Sequence, residues 1–177
     1  MIRINKEGQS LVEALIALGV AAIVVSAMAV AAITSVNDAD FSKYQNLATN
    51  YAQQGMEIIR QQSQTDWATF SGQAGSELNP SKKCLDQNST TLSAVDLVTG
   101  ECNQNIADQN GKPFFVRSVT LTLTNYIPHP TSSIVDPACN GSVQATVNVA
   151  WTDGKCSSGS FCHNVILNSC FTDINGQ

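Results

Sequence analysis

From Leu11 to Val36 the chain reads LVEALIALGVAAIVVSAMAVAAITSV, and its only charge is Glu13. A helix over these 26 residues spans ~39 Å at ~1.5 Å per residue, more than the ~30 Å hydrocarbon core of a bilayer. The run therefore reads as a transmembrane helix, which limits the folded domain to the residues after Val36. Arg3 and Lys6 precede the run, and Asp38 and Asp40 come after it. The excess of positive charge before the span predicts a cytoplasmic N-terminus and an exported C-terminal part. An ionised carboxylate in hydrocarbon costs several kcal/mol unless it is paired, so Glu13 calls for a use.

All six cysteines, Cys84, Cys102, Cys139, Cys156, Cys162 and Cys170, lie in the exported part. Their number is even, and disulfides persist in that compartment, so cysteine usage and topology agree. The net charge of −5 and pI of about 4.8 oppose binding to nucleic acid or to anionic lipid head groups. The densest basic stretch, Lys82–Lys83, reads as a solvated loop.

Beyond the span, Phe41, Tyr44, Ala48, Tyr51, Gly55 and Ile58/Ile59 recur at spacings of three and four, which is one apolar face of a helix. Asn37 and Asp38 break this weakly, so one helix from about Leu11 to Gln62 is expected, apolar all round in its first half and amphipathic in its second. Composition then shifts to Ser, Thr, Asn, Gln and Gly, and Ser63 to Gly111 reads as loop. Three strands are expected at Phe114–Tyr126, Ser142–Trp151 and Phe161–Ser169. The first two alternate apolar and polar residues, as a sheet with one buried face requires. The fold class is α+β: a long N-terminal helix packed on a small antiparallel sheet and stapled by disulfides. Trp67 and Trp151 are expected in or near the core.

The segment TDGKCSSGS makes the last two strands a hairpin. That brings Cys139, before the first, near Cys170, after the second, and puts Cys156 and Cys162 at the turn end. Cys84 and Cys102 then staple the long connection. This is one of the 15 pairings that six cysteines permit.

The N-terminal KEGQSLVE carries a more specific signal. It resembles the processing site of type IV prepilins and type II secretion pseudopilins: a short basic leader ending in Gly, a new N-terminal residue, and Glu as the fifth residue of the mature chain. The resemblance implies a leader of residues 1–8, cleavage between Gly8 and Gln9 by a prepilin peptidase, and possible N-methylation of Gln9. It further implies a transmembrane helix over 9–36, an amphipathic continuation over 37–62 and an exported pilin-like domain over 63–177. The family's first mature residue is most often Phe, and here it is Gln9. The stretch from Asn46 to Trp67 resembles the corresponding region of minor pilins of the pilin-modification type. In that family the Glu is thought to pair with the α-amino group of a neighbouring subunit, which makes Glu13 an assembly residue. The implied partners are other pilin subunits, the prepilin peptidase, the inner-membrane assembly machinery and the membrane itself. Nucleic acid is not expected as a partner.

Other readings stay open from sequence. Glu13 lies near the cytoplasmic end of the span, as in an ordinary signal anchor, and Ala27-Met28-Ala29 offers a signal-peptidase site. Within the filament class, a type II secretion pseudopilin is the alternative to a pilus subunit; outside it stands a membrane-anchored binding domain that never enters a filament. Gly19 reads as a packing position in the span. Cys162 and His163 lack the spaced partners of a metal site, and His129 sits in a Pro-His-Pro turn, so no metal or cofactor is expected. Asn88, flanked by Asp86 and Thr90, and Asn140 match glycosylation sequons of a kind that arise readily by chance. No nucleophile with a base, phosphate loop or paired carboxylates can be picked out, so no catalytic residue is assigned.

Overall fold

The computed structural model describes residues 6–76, 78–89, 91–92, 102, 106–107, 111, 113–124, 139, 141–153, 156 and 161–173, with backbone alone for 6–10 and 113. Helix α1 runs Lys6–Thr65 without interruption. No proline occurs before Pro80, and Asn37 and Asp38 continue the helix. It stops where Asp66 leaves helical geometry, with φ −150° and ψ 89°, to cap the next helix, α2 (Trp67–Ser71). The Asp66 carboxylate accepts from the Thr69 backbone N–H at 3.0 Å and from the Thr69 hydroxyl at 2.6 Å. These bonds lower the Asp66 pKa from its ordinary value, the side-chain bond to Thr69 most.

The chain divides into two compact units, residues 1–43 and 44–177. In the first, every side chain from Leu11 to Lys43 is exposed. Two of its hydroxyls bond to their own helix: Ser26 donates to the Ala22 carbonyl and Thr34 to that of Val30. Between Leu11 and Val36 the one charged side chain is Glu13. One helix, Leu11–Thr65 in its described part, is long and apolar enough to cross a membrane, with its most apolar window wholly unburied.

The second unit packs the end of α1 against an antiparallel sheet ordered β1-β3-β4-β5, with β2 also pairing β3. The strands are β1 (Ser81–Cys84), β2 (Ile106–Ala107), β3 (Pro113–Leu123), β4 (Val143–Trp151) and β5 (His163–Phe171). Pairing puts Val119, Val147 and Leu167 side by side, and likewise Phe115, Trp151 and His163, on one face. Against this face α1 presents Ala48, Ala52, Gly55, Ile59 and Ser63, all buried. A Cβ on Gly55 would lie 3.0 Å from Val147 Cγ1 and 3.3 Å from Arg117 Cδ. Tyr44, Tyr51, Phe114 and Phe115 pack ring on ring at the near end. Phe70 of α2 closes the other end against Phe171.

Four sequence expectations need correction. Phe41 does not join the packed face but is exposed, and small residues form the middle of the real stripe, because close approach of helix and sheet leaves no room for larger ones. The span from Ser63 to Gly111 is not loop throughout, since it contains α2, β1 and β2. Lys83 is not solvated: it lies opposite Val119 on β1, almost wholly buried, and donates to the Gln73 side-chain carbonyl, while its neighbour Lys82 points outward. The last strand starts two residues later than expected, at His163, and Asn125 and Tyr126 at the end of the first lie outside the described residues.

Candidate functional site

The expected processing and assembly residues all lie in the first turns of α1. Gly8 and Gln9 have helical backbone, with side chains outside the described residues. Glu13 is exposed, one turn beyond Gln9, so a helix brings the two to the same side. Around it Leu11, Leu15, Ile16 and Leu18 each expose 61–69% of their surface, and the apolar exposure continues to Val36. An apolar surface this large needs a lipid or protein partner. Glu13 is its one charge, so it can fix where along the helix that partner docks.

The disulfides join Cys84–Cys102, Cys139–Cys170 and Cys156–Cys162, the pairs expected from the hairpin. The first ties β1 to the segment before β2, and the second links the ends of β4 and β5. Among the other residues singled out, Asn88 is exposed in a turn. Asn140, Thr90 and His129 lie outside the described residues.

Two features escaped sequence reading. Arg117, on the helix-facing side of β3, is only 1% exposed. Its guanidinium donates to the carbonyls of Tyr51 at 3.1 Å, Leu85 at 3.3 Å and Asp86 at 2.5 Å. Burial lowers its pKa, while the negative charge of Asp86 works the other way. The charge is thus held by backbone dipoles on the inner side of the sheet, where it serves the fold. Only its place in the alternation of FFVRSVTLTL marked it as inward.

The second feature is at the turn end of the β4–β5 hairpin. There the last β4 residue, Trp151, pairs with the first of β5, His163. Asp153 and Cys156 come from the β4 side, and Cys162 and His163 from the β5 side; one donor atom from each lies within 4.8 Å of the others. Asp153 Oδ2 is 3.1 Å from His163 Nε2, and Thr152 Oγ1 donates to Cys156 Sγ at 3.1 Å. The His163 ring lies beside Trp151, with centroids 5.5 Å apart. Sequence reading dismissed Cys162 and His163 because it looked for ligand spacing along the chain, whereas strand pairing supplies Asp153 across the hairpin.

On the outer face of the sheet, Lys82, Cys102, Ser118, Asn148 and Phe161 line a shallow cleft of about 200 Å³. Its sulfur, Cys102, is held in the disulfide with Cys84. Comparison with family models, curated proteins and solved structures found no match to this chain.

Proposed function

We propose that this chain is a structural subunit of a type IV pilus, a minor pilin anchored and assembled through α1. The observation that supports the reading most is Glu13, a lone carboxylate five residues beyond Gly8 at the head of an exposed apolar helix surface. In this account the prepilin peptidase removes residues 1–8 and the helix from Gln9 holds the subunit in the cytoplasmic membrane. Extraction into the filament then exchanges lipid for neighbouring helices along Leu11 to Val36. Glu13 pairs with the new α-amino group of an adjacent subunit. Buried ions stay tolerable while paired, and loss of one partner costs ~3–5 kcal/mol, enough to set the stagger between subunits. The domain built on β1 to β5, locked by three disulfides, is the part displayed outside.

The test is Glu13→Ala expressed beside a prepilin peptidase and the assembly machinery. The variant is expected to stay in the membrane and to be cleaved like the wild type, yet to be missing from sheared filaments. Incorporation at the wild-type level would contradict the pairing role.

A further inference from the structure

We infer that the turn end of the β4–β5 hairpin is a redox-gated metal site. When the Cys156–Cys162 disulfide is reduced, Cys156, Cys162, His163 and Asp153 take one divalent transition ion, with Zn2+ the best fit. The inference is independent of any filament role, since all four residues lie in the sheet unit.

The donor set is two sulfurs, one imidazole nitrogen and one carboxylate oxygen, a mixture that suits borderline-soft Zn2+ and disfavours Mg2+ or Ca2+. Bond lengths of ~2.3 Å to sulfur and ~2.0–2.1 Å to nitrogen or oxygen put tetrahedral ligands ~3.4–3.8 Å apart. The four donor atoms already lie within 4.8 Å of one another. At most ~1 Å of approach is then needed between donors that are not bonded to each other, while the two sulfurs move apart to ~3.8 Å once the disulfide opens. The scaffold is fixed where it matters, because the ladder pairs Trp151 with His163 and the Asp153–His163 contact spans the two arms. Asp153 and Cys156 follow β4, Cys162 directly precedes β5 and His163 opens it, so the ligands converge from the two ends of the connection.

Access also favours this disulfide. Cys156 is half-buried and Cys162 exposed, whereas each of the other pairs has a buried member, Cys102 or Cys139. A dithiol reductant reaches the exposed pair first, because exchange needs a thiolate to contact a sulfur. The dithiol is oxidised to its disulfide and passes two electrons and two protons to Cys156 and Cys162. Metal binding then releases both thiol protons to solvent, since the coordinated sulfurs are thiolates. Exchange with a disulfide oxidant reverses this: the oxidant takes two electrons from the sulfurs and two protons from solvent to become a dithiol, the Cys156–Cys162 bond re-forms and the ion is expelled. Disulfide and metal thus exclude each other.

The test uses the full chain in detergent micelles, with Co2+ as the probe under nitrogen. Brief reduction by a phosphine, which does not chelate the metal as a dithiol does, is followed by desalting; alkylation mapped by mass spectrometry identifies the disulfide opened. The reduced protein is expected to bind one equivalent of Co2+ with a thiolate charge-transfer band and tetrahedral ligand-field bands, both lost on adding Zn2+. The oxidised protein is expected to show neither. Cys156→Ser with Cys162→Ser abolishes the thiolate band, and His163→Ala weakens binding at least ~10-fold, the scale on which metal-site substitutions act. Cys156→His forms no disulfide and keeps four donors, so it binds Co2+ without reductant even if reduction unfolds the wild type. Absence of a thiolate band in both reduced wild type and Cys156→His overturns the inference. A band that survives in the double serine variant also overturns it, by placing the sulfur ligands elsewhere.

Discussion

At the scale of single residues, one cation and one glycine decide how α1 meets the sheet. Arg117 reaches the Tyr51 carbonyl on the helix, and Gly55, the next turn along, leaves the room for it to do so. Helix propensity alone favours Gly55→Ala by ~1 kcal/mol, but overpacking in a filled core costs ~1–3 kcal/mol, and Val147 and Arg117 are both held in place. Gly55→Ala should therefore lower stability by about 1 kcal/mol, seen as a lower urea midpoint at unchanged slope. A rise in stability would mean that the contact is loose. The sequence showed that Gly55 lies on the apolar face and that Arg117 occupies an inward position. It did not show that the two meet, because one is on a helix and the other on a strand 62 residues further along the chain. Lys83 was misread for a related reason: a lysine beside another lysine looks solvated until strand pairing assigns it a side.

At the scale of elements, the long periodic pieces were legible and the short ones were not. Continuous apolar character marked α1 from Leu11 to Val36, and helical spacing carried it onward. Alternation marked β3 and β4. Strand β1 reads SKKC and α2 has five residues, too few for any period to emerge, so neither was visible. Helix α2 depends instead on its cap. Because the folded pKa of Asp66 is lowered from 3.8, its stabilising effect is fully present above that ordinary value and is lost as pH falls through the folded one. Acidification below pH ~4 should therefore loosen α2, read as a change in Trp67 fluorescence. Asp66→Asn keeps an accepting oxygen and should remove that acid-dependent step; a step of undiminished size in the variant would assign it to another group.

At the scale of the whole molecule, the chain joins a helical segment whose side chains from Leu11 to Lys43 are all exposed to a unit whose core needs nothing before Tyr44. The buried cluster draws on residues from Ala48 to Phe171, and all three disulfides join cysteines within that stretch of chain. A chain beginning at Phe41 and made in an oxidising compartment should therefore fold as a soluble monomer with three native disulfides, while the full chain should require membrane or detergent. Scrambled disulfides in the shortened chain would show that the apolar helix takes part in folding the domain. That division of labour suits a subunit whose helix serves assembly and whose domain faces outward, and in that reading everything turns on the first helical residue.

The most direct measurement is the mature N-terminus of the chain expressed with a prepilin peptidase, read by mass spectrometry of its N-terminal peptide. A peptide beginning at Gln9, with or without a methyl group, is the predicted result. One beginning at Met1 or Val30 would contradict the account and make α1 an ordinary anchor or signal sequence.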